Sequence, residues 1–413
     1  ISSLPSKCLN NFKIKVIGDA ELAEDDYYVK FITNSGVEFG DGAFVETSGS
    51  EINQQIDSTT FLHRLILTAE NTFSLKSVDP TARNVGDDIS NPFPSFVWDG
   101  VNTAEKDNFR IQNIFFFKNR LGLLSNDNVI MSESGQPFNF FRTTTLSLLD
   151  SAPIDITVAS NRVTNLKSAV GFQENLVLFS EGGQFVLKSG GMLTPKTVTI
   201  SPITNFSFQP EVEPIALGAY IYFPFTRGAF TGLREFTLNG STDVYDSSEV
   251  TEHVPAYIPK NIIAVTGTTT EDVIVLLSSD EPNTLYVYNY FWNNNQRVIS
   301  SWSKFILPGH VRGMEFIDST LHLVMTYFDG ATHLASLSFE IGKQDVDVLG
   351  NSIGFTAHLD KRVPVQISAG SGNIKFLNAA GTAFSSAASD RPYNIVTGDT
   401  GYRFVDTLGT IHT

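Results

Sequence analysis

Short β-strand patterns follow one another along this chain, and helical periodicity is scarce. Runs of β-branched and aromatic residues of strand length, bounded by polar or glycine-containing turns, occupy residues 13–17, 27–32, 114–117, 176–179, 221–223, 273–277, 285–290 and 321–326. The best helical pattern covers residues 58–69, where apolar residues recur at helical spacing, although β-branched Thr59 and Thr60 weaken it. The sequence therefore predicts an all-β fold with minor α content.

A unit of three strands separated by polar turns recurs in the middle of the chain. Equivalent second-strand positions are Leu121, Leu176, Tyr220, Val273 and Leu321, spaced by 55, 44, 53 and 48 residues. Such periods are typical of β-propeller blades, which bury both faces of a small sheet against neighbouring blades. A pair of packed β-sandwiches would give a similar strand count and stays open.

This spacing divides the chain into four predicted regions. The predicted regions are a partial β-rich or mixed unit (1–90), a connector with an insertion (91–107), a β-propeller-like core (108–345) and a partial C-terminal β unit (346–413). Because residue 1 is isoleucine rather than methionine, we expect these residues to be a portion of a longer product.

The composition suits a chain that buries much surface in neighbours. Charged residues make up only 17%, below the roughly 25% typical of soluble chains, and 33 Phe and 12 Tyr supply rigid apolar surface. The single cysteine, Cys8, cannot form an intrachain disulfide. No apolar run is long enough to cross a bilayer, and no signal-peptide pattern opens the chain.

The net charge of −16 argues against tight binding of DNA, which rests on Lys and Arg neutralising phosphates. An acidic surface instead suits a wall past which DNA slides without sticking. Residues 115–120 (FFFKNR) interleave aromatic and basic residues, as nucleic-acid stacking surfaces do. We favour the alternative that this strand is buried on both faces and that Arg120 pairs with a turn or a carboxylate.

No motif whose spacing forces a catalytic or metal-binding mechanism occurs in the sequence. The seven histidines (63, 253, 310, 322, 333, 358 and 412) lack the spacing of a metal site, although His322 and His333 could meet across a sheet. We therefore predict no metal, no cofactor and no catalytic residue.

Propellers also include glycosidases, which need two facing carboxylates. The pairs Asp25-Asp26 and Asp87-Asp88 lie in polar turns, where we expect them to be solvated. Residues 278–285 are weakly similar to the sialidase Asp-box, but Pro282 replaces the glycine, and that box is a turn motif rather than a catalytic one.

Six stretches of the sequence carry a resemblance to a known family: KIKVIGDAELAEDDYYVKF (13–31), NPFPSFV (91–97), IFFFKNRLGLLSNDNVIMSESGQPFNFF (114–141), APIDITVASNRVTNLKSAV (152–170), LVLFSEGGQFVL (176–187) and TEHVPAYIP (251–259). These stretches resemble the tail tubular protein B family, the nozzle proteins of short-tailed bacteriophages. They are collinear and span roughly residues 3–365. Residues 98–112 look like an insertion, and the stretch after about 365 does not match.

The resemblance implies a structural virion protein, made in the host cytoplasm, with a propeller-like core. It implies a homo-hexameric ring that encloses the DNA ejection channel, joins an adaptor ring of the tail tubular protein A type, and offers docking surface to a tail fibre protein while double-stranded DNA passes transiently. The matched motifs predict structural roles for Asn91, Pro92, Pro94, Phe117, Asn119, Arg120, Asp155, Asn161, Arg162, His253, Pro255 and Pro259. Residues that line the channel are not assigned.

Three functions are therefore weighed. The leading hypothesis is a passive tube without catalysis. The alternatives are a propeller-type glycan hydrolase, which requires facing carboxylates in a pocket, and a host receptor-binding module of the tail, which would adsorb to cells by itself.

Overall fold

The computed structural model describes residues 4–18, 26–98, 109–159, 164–239, 244–293, 296–327, 330 and 332–339, and the backbone of five short strands beyond residue 364. The chain divides into two compact units, Ile1–Val265 and Thr266–Thr413. The described residues contain no α-helix, so the all-β prediction is confirmed. They also contain no helix that is long and apolar enough to cross a bilayer.

The first unit begins with a four-stranded antiparallel sheet in the order β1-β4-β3-β2. Its strands are β1 (Lys7–Leu9), β2 (Lys13–Val16), β3 (Tyr27–Thr33) and β4 (Phe39–Thr47). The antiparallel pairing of β2 with β3 joins two of the strand patterns found in the sequence, residues 13–17 and 27–32. A separate two-stranded sheet follows, formed by β5 (His63–Ala69) and β6 (Thr72–Ser77).

The prediction of a helix at residues 58–69 was wrong, because a turn and a β-strand follow each other there and together place apolar residues at helical spacing. Asp57 accepts hydrogen bonds from the main-chain N–H and hydroxyl of Thr59, which close a turn before the strand. Phe61 joins a buried cluster, whereas Leu65 and Leu67 alternate along β5 and pair across the hairpin. The turn to β6 places Asn71 at φ 57°, a conformation that asparagine tolerates well.

Three four-stranded antiparallel meanders complete the first unit, and each runs in chain order. The first contains β7 (Ile111–Phe117), β8 (Arg120–Ser125), β9 (Asn128–Met131) and β10 (Ile154–Thr157). The second contains β11 (Leu166–Phe172), β12 (Asn175–Ser180), β13 (Gly183–Ser189) and β14 (Val198–Thr204). The third contains β15 (Ile215–Leu217), β16 (Tyr220–Arg227), β17 (Phe230–Asn239) and β18 (Val244–Glu249).

These meanders bury both faces, as blades do. In β12, Leu176 and Leu178 belong to the core shared with the first meander, whereas Val177 and Phe179 belong to the core shared with the third. The first meander likewise packs one face on residues 56–97 of the preceding segment. Alternate side chains of a second strand thus face two different cores, and both sets must be apolar. This explains why the second strands appear in the sequence as continuous apolar runs.

Two further meanders follow, and β19 crosses the boundary between the units. The four-stranded meander contains β19 (Ile262–Thr268), β20 (Val273–Ser278), β21 (Thr284–Asn293) and β22 (Gln296–Ile306). The three-stranded one contains β23 (Gly309–Ile317), β24 (Thr320–Tyr327) and β25 (Thr332–Ser338). All five positions taken from the repeat lie in the second strand of a meander.

Short strands end the described chain. They are β26 (Val365–Ile367), β27 (Ile374–Leu377), β28 (Phe384–Ser385), β29 (Phe404–Val405) and β30 (Ile411–His412). The first three form one sheet and the last two form another. All five strands lie within residues 346–413, the region predicted as a partial C-terminal β unit.

Candidate functional site

The connector at residues 91–97 is built around the buried side chain of Asn91. Its amide nitrogen donates to the carbonyl oxygens of Val85, at 2.9 Å, and Arg142, at 3.2 Å. Its amide oxygen accepts from the main-chain N–H of Arg142 at 2.9 Å. One side chain therefore joins the connector to two loops, one of which belongs to the first meander.

Arg83 is fully buried beneath the same connector, and the sequence analysis missed it. Its guanidinium donates to the carbonyl oxygens of Asn91 and Asn53 and to Asp88. It also lies 4.6 Å from the ring centroid of Phe93. The arginine thus combines cation–π stacking with main-chain hydrogen bonds, a use to which its planar donors are suited.

Ser95 and Asp155 lock the end of the connector to β10. The Ser95 N–H donates to one carboxylate oxygen of Asp155 at 2.7 Å, and the Ser95 hydroxyl donates to the other at 3.0 Å. Asp155 is exposed to solvent on one side, and desolvation by the protein atoms around it raises its pKa above the ordinary value, while the Ser95 hydrogen bonds act in the opposite direction. Pro94 is buried in this segment and Pro92 is exposed.

A carboxylate on β4 ties the N-terminal sheet to the loop after β9. Glu46 accepts hydrogen bonds from the hydroxyl groups of Thr144, at 2.6 Å, and Thr145, at 2.8 Å. The N–H of Thr145 donates to the same carboxylate. The residues before the connector are therefore fixed to the first meander by polar as well as apolar contacts.

The FFFKNR segment forms a tight hairpin between β7 and β8. Lys118 and Asn119 have φ values of 45° and 63°, as a two-residue hairpin turn of the primed type requires. Phe115 is buried, Phe117 is half-buried and Phe116 is exposed. The segment is therefore not buried on both faces along its whole length.

Arg120 is buried and pairs with the main chain rather than with an acid. Its guanidinium donates to the carbonyl oxygens of Ser132 (2.8 Å), Ala152 (2.7 Å) and Asp150 (3.0 Å). Desolvation lowers its pKa. These contacts confirm the predicted pairing with turns. They also occupy the donors of the guanidinium with main-chain carbonyl oxygens.

A cavity of about 440 Å³ lies beside this arginine. Its lining includes Lys118, Ser134, Asp150, Ser151 and Met192. Asp150 is the single carboxylate of the lining, so this cavity cannot supply the two facing carboxylates that glycoside hydrolysis uses.

The two carboxylate pairs singled out in the sequence contribute one member each to a shared polar cluster. Asp26 is buried and forms a 2.7 Å ion pair with Lys15, and Asp87 accepts a 3.1 Å hydrogen bond from the Tyr28 hydroxyl. The expectation that Asp26 is solvated was therefore wrong. Asp88 is exposed but bonds to Arg83, and Asp25 lies outside the described residues.

This cluster favours ionised carboxylates. The hydrogen bond from Lys15, followed by the one from the Gly18 N–H, lowers the pKa of Asp26. Burial acts to raise the pKa of Asp87, but hydrogen bonds from Ser90 and Ile89 hold it below its ordinary value. Neither group is held protonated at neutral pH, so the cluster is not a general-acid site.

The histidines do not converge. His322 pairs with Ser336 and His333 pairs with Met325, so the two side chains lie on opposite faces of the sheet formed by β24 and β25. The possibility that these two histidines meet across the sheet is therefore excluded, in agreement with the prediction of no metal site there. In the part of the chain that the structure describes, no three His, Cys, Asp or Glu side chains form a metal site.

The remaining motif positions lie in loops. Thr251 is buried and its hydroxyl accepts from the Leu233 N–H at 3.1 Å, which fixes the TEHVPAYIP segment beside β17. His253 and Pro255 are exposed, and Pro259 bridges to Phe230. Asn161 and Arg162 lie outside the described residues, as do residues 99–108 of the predicted insertion, whereas Ile111 and Gln112 belong to β7.

Comparison with known proteins gives one family match. The sequence profile of the bacteriophage nozzle protein family matches residues 1–407, so the match continues past residue 365, where the resemblance was expected to end. Tail tubular protein gp12 of Escherichia phage T7 is 32% identical over 375 residues, which cover 90% of this chain and 45% of that protein. The chain thus spans about half the length of that relative.

Solved structures give only distant likenesses. Hsv2 of Kluyveromyces lactis has a TM-score of 0.36 and 12% identity, covering 64% of this chain and 76% of that chain. The WD40 domain of SCAP from fission yeast has a TM-score of 0.33 and 12% identity, covering 58% and 60%. Both TM-scores lie below 0.5, so neither structure informs the function of this chain.

Proposed function

Because this chain belongs to the bacteriophage nozzle protein family, we propose that it is a wall subunit of a phage tail nozzle. Six copies form a closed ring around the channel through which double-stranded DNA leaves the capsid. The family match along nearly the whole chain is the observation that carries the proposal. The protein acts in the tail of the virion and is made in the host cytoplasm.

The internal construction of the first unit supports a mechanical role. Its second meander buries both faces against its neighbours, and the buried side chains of Asn91, Arg83 and Arg120 donate hydrogen bonds to main-chain carbonyls of connecting loops. Such contacts hold loops rigidly without exposing reactive groups. A stiff wall that resists deformation while DNA moves past it requires this kind of construction.

The proposed partners follow from the ring. An adaptor ring of the tail tubular protein A type joins it on the capsid side, and a tail fibre protein docks on its outside. The net charge of −16 supports transient passage of DNA, since an acidic wall repels phosphates and does not retain the duplex. We also keep the proposal that residues 108–345 form a propeller-like core between smaller units at 1–90 and 346–413, with 91–107 as connector.

The enzyme alternative is set aside. The family is one of structural tail proteins. The cavity beside Arg120 and the cluster around Asp26 agree with that assignment, because neither pairs a protonated acid with a facing carboxylate base.

Electron cryo-microscopy of the intact phage particle tests the proposal directly. We expect density for six copies around the exit channel, next to the adaptor ring. Mixing the purified chain with an adaptor-type ring should also give a stable complex with six copies. Density at a position away from the channel, or monomers that ignore the adaptor, would contradict the nozzle role.

A further inference from the structure

The guanidinium of Arg234, on β17, is held against two aromatic rings. Its Cζ atom lies 4.5 Å from the ring centroid of Phe225, on β16, and 4.6 Å from that of Phe206, in the loop before β15. Phe225 is buried and Phe206 is half-buried. The N–H groups of a guanidinium point outward in its own plane, so these ring contacts fix the orientation of the plane and leave its edge available.

Arg234 has no acceptor for its donors within the described part of the chain. It forms no ion pair there and donates no side-chain hydrogen bond, and its Nε–H is buried and unsatisfied. The buried Arg83 and Arg120 differ, because both donate to main-chain carbonyl oxygens. An unsatisfied donor on a charged group costs free energy. Since Arg234 is only half-buried, an acceptor from outside the chain can reach its other donors.

The charges around Arg234 do not balance. Glu249, on β18, lies directly opposite Arg234 in the strand register, but its carboxylate pairs with Arg227 and accepts a 2.9 Å hydrogen bond from the Thr251 hydroxyl. Desolvation lowers the pKa of Arg234, Glu249 acts to raise it, and Arg227 acts to lower it. Two guanidinium groups therefore share one carboxylate, in a chain whose net charge is −16.

These surroundings favour a single carboxylate as the missing anion. A guanidinium binds a carboxylate through two parallel, charge-assisted hydrogen bonds. The two phenylalanine rings offer apolar walls to the methylene groups of an acidic side chain. A polyanion such as DNA is disfavoured, because Glu249 and the acidic chain repel a run of phosphates.

We propose that Arg234, oriented by Phe206 and Phe225, binds the carboxylate of an acidic side chain on a partner polypeptide. Arg227 stays paired with Glu249 and leaves Arg234 free for this partner. The inference depends neither on the ring nor on its copy number, so it stands or falls separately from the nozzle role.

Nuclear magnetic resonance of the full chain, with isotope labelling of arginine alone, tests the site. Each arginine gives its own Nε–H signal, and the signal that Arg234→Lys removes is the one at the site. N-acetylglutamate N-methylamide, which carries one side-chain carboxylate, should shift this signal until it saturates. N-acetylglutamine N-methylamide is the matched probe without charge and should leave the signal in place, because no charge-assisted pair can form.

Variants then separate the fork of Arg234 from its charge. Arg234→Lys should weaken binding of the glutamate probe by about tenfold or more, since an ammonium group keeps the charge but loses the paired donors. Saturation-transfer signals on the probe measure this binding in every variant. Arg64→Lys, at an exposed position of β5, is the matched control and should bind the probe as the unaltered chain does.

The titration of the unaltered chain decides the inference even where a variant fails to fold. An Arg234 signal that does not move, or that moves no more than the signal of exposed Arg64, would overturn the site. Tighter binding of inorganic phosphate or of a short DNA duplex would overturn the assignment to a carboxylate. Acetate that binds as tightly as the glutamate probe would overturn the assignment to a polypeptide side chain.

Discussion

The side-chain amide of Asn91 pairs with the main chain of Arg142 in both directions. It donates to the Arg142 carbonyl at 3.2 Å and accepts from the Arg142 N–H at 2.9 Å, as a neighbouring β-strand would. The connector is thereby joined to a loop that is 51 residues away in sequence. An amide is required here, since a carboxylate offers no donor and a hydroxyl cannot span both groups.

Asn91→Ala should lower the free energy of unfolding by about 2–4 kcal/mol, because the substitution leaves buried main-chain donors and acceptors without partners. Urea denaturation followed by tryptophan fluorescence measures the effect. Asn84→Ala is the matched control, because Asn84 is exposed in the same loop. Equal midpoints for the two variants would show that the Asn91 pairing contributes nothing to stability.

Arg83→Lys should also destabilise the protein, by about 2–3 kcal/mol, although it keeps the charge. A lysine cannot reproduce the fork that reaches both Asn91 and Asn53 while stacking on Phe93. Arg64→Lys, at an exposed position of β5, is the matched control and should leave the melting temperature unchanged. Thermal melts of Arg83→Lys, Arg64→Lys and the unaltered chain measure these effects. An unchanged melting temperature for Arg83→Lys would contradict the prediction.

The strands were predictable from the sequence because alternation and β-branched runs are local signals. All five repeat positions, from Leu121 to Leu321, lie in second strands. The false helix at residues 58–69 arose because a turn and a strand, read together, imitate helical spacing. The spacing of apolar residues alone cannot distinguish a helix from a turn followed by a strand when the apolar face of that strand is exposed.

The polar sites were less predictable because their partners are distant in sequence or belong to the main chain. Arg83 binds mainly carbonyl oxygens, which have no sequence signature. Asp26 seemed solvated because its partner Lys15 lies on the neighbouring strand. The opposite orientations of His322 and His333 depend on the register between β24 and β25, and the sequence alone does not give that register.

Two glycines of the meander strands lie directly beneath phenylalanine rings. Gly122 faces Phe115 across β7 and β8, and Gly232 faces Phe225 across β16 and β17. A Cβ atom would lie 2.1 Å from the Phe115 ring and 2.4 Å from the Phe225 ring. Each phenylalanine therefore occupies the space above its glycine.

Gly122→Ala and Gly232→Ala should each cost about 1–3 kcal/mol through overpacking. Gly313→Ala in β23 is the matched control, since nothing lies within 4 Å of its added Cβ. It should be neutral or slightly stabilising, because alanine restricts the unfolded chain. Chemical denaturation of the three variants measures the difference, and a neutral Gly232→Ala would show that the Phe225 ring moves freely.

The ion pair between Lys15 and Asp26 predicts how stability depends on pH. The hydrogen bond from Lys15 and the one from the Gly18 N–H hold the pKa of Asp26 below its unfolded value. A carboxyl group with a lowered folded pKa stabilises the fold above its unfolded pKa, near 4, and loses that contribution as pH falls through the folded pKa. The raised pKa of Lys15, caused first by its hydrogen bond to Asp26, adds stability that is lost only at strongly alkaline pH.

Asp26→Asn should therefore lower the melting temperature at pH 7, and the difference from the unaltered chain should shrink as the pH is lowered below about 4. Thermal melts at a series of pH values measure this convergence. Asp41→Asn is the matched control, because Asp41 lies in the same sheet but forms an exposed pair with Lys7 at 3.6 Å, and exposed pairs contribute little. A constant difference between Asp26→Asn and the unaltered chain at every pH would mean that Asp26 acts through its shape and hydrogen bonds rather than through its charge.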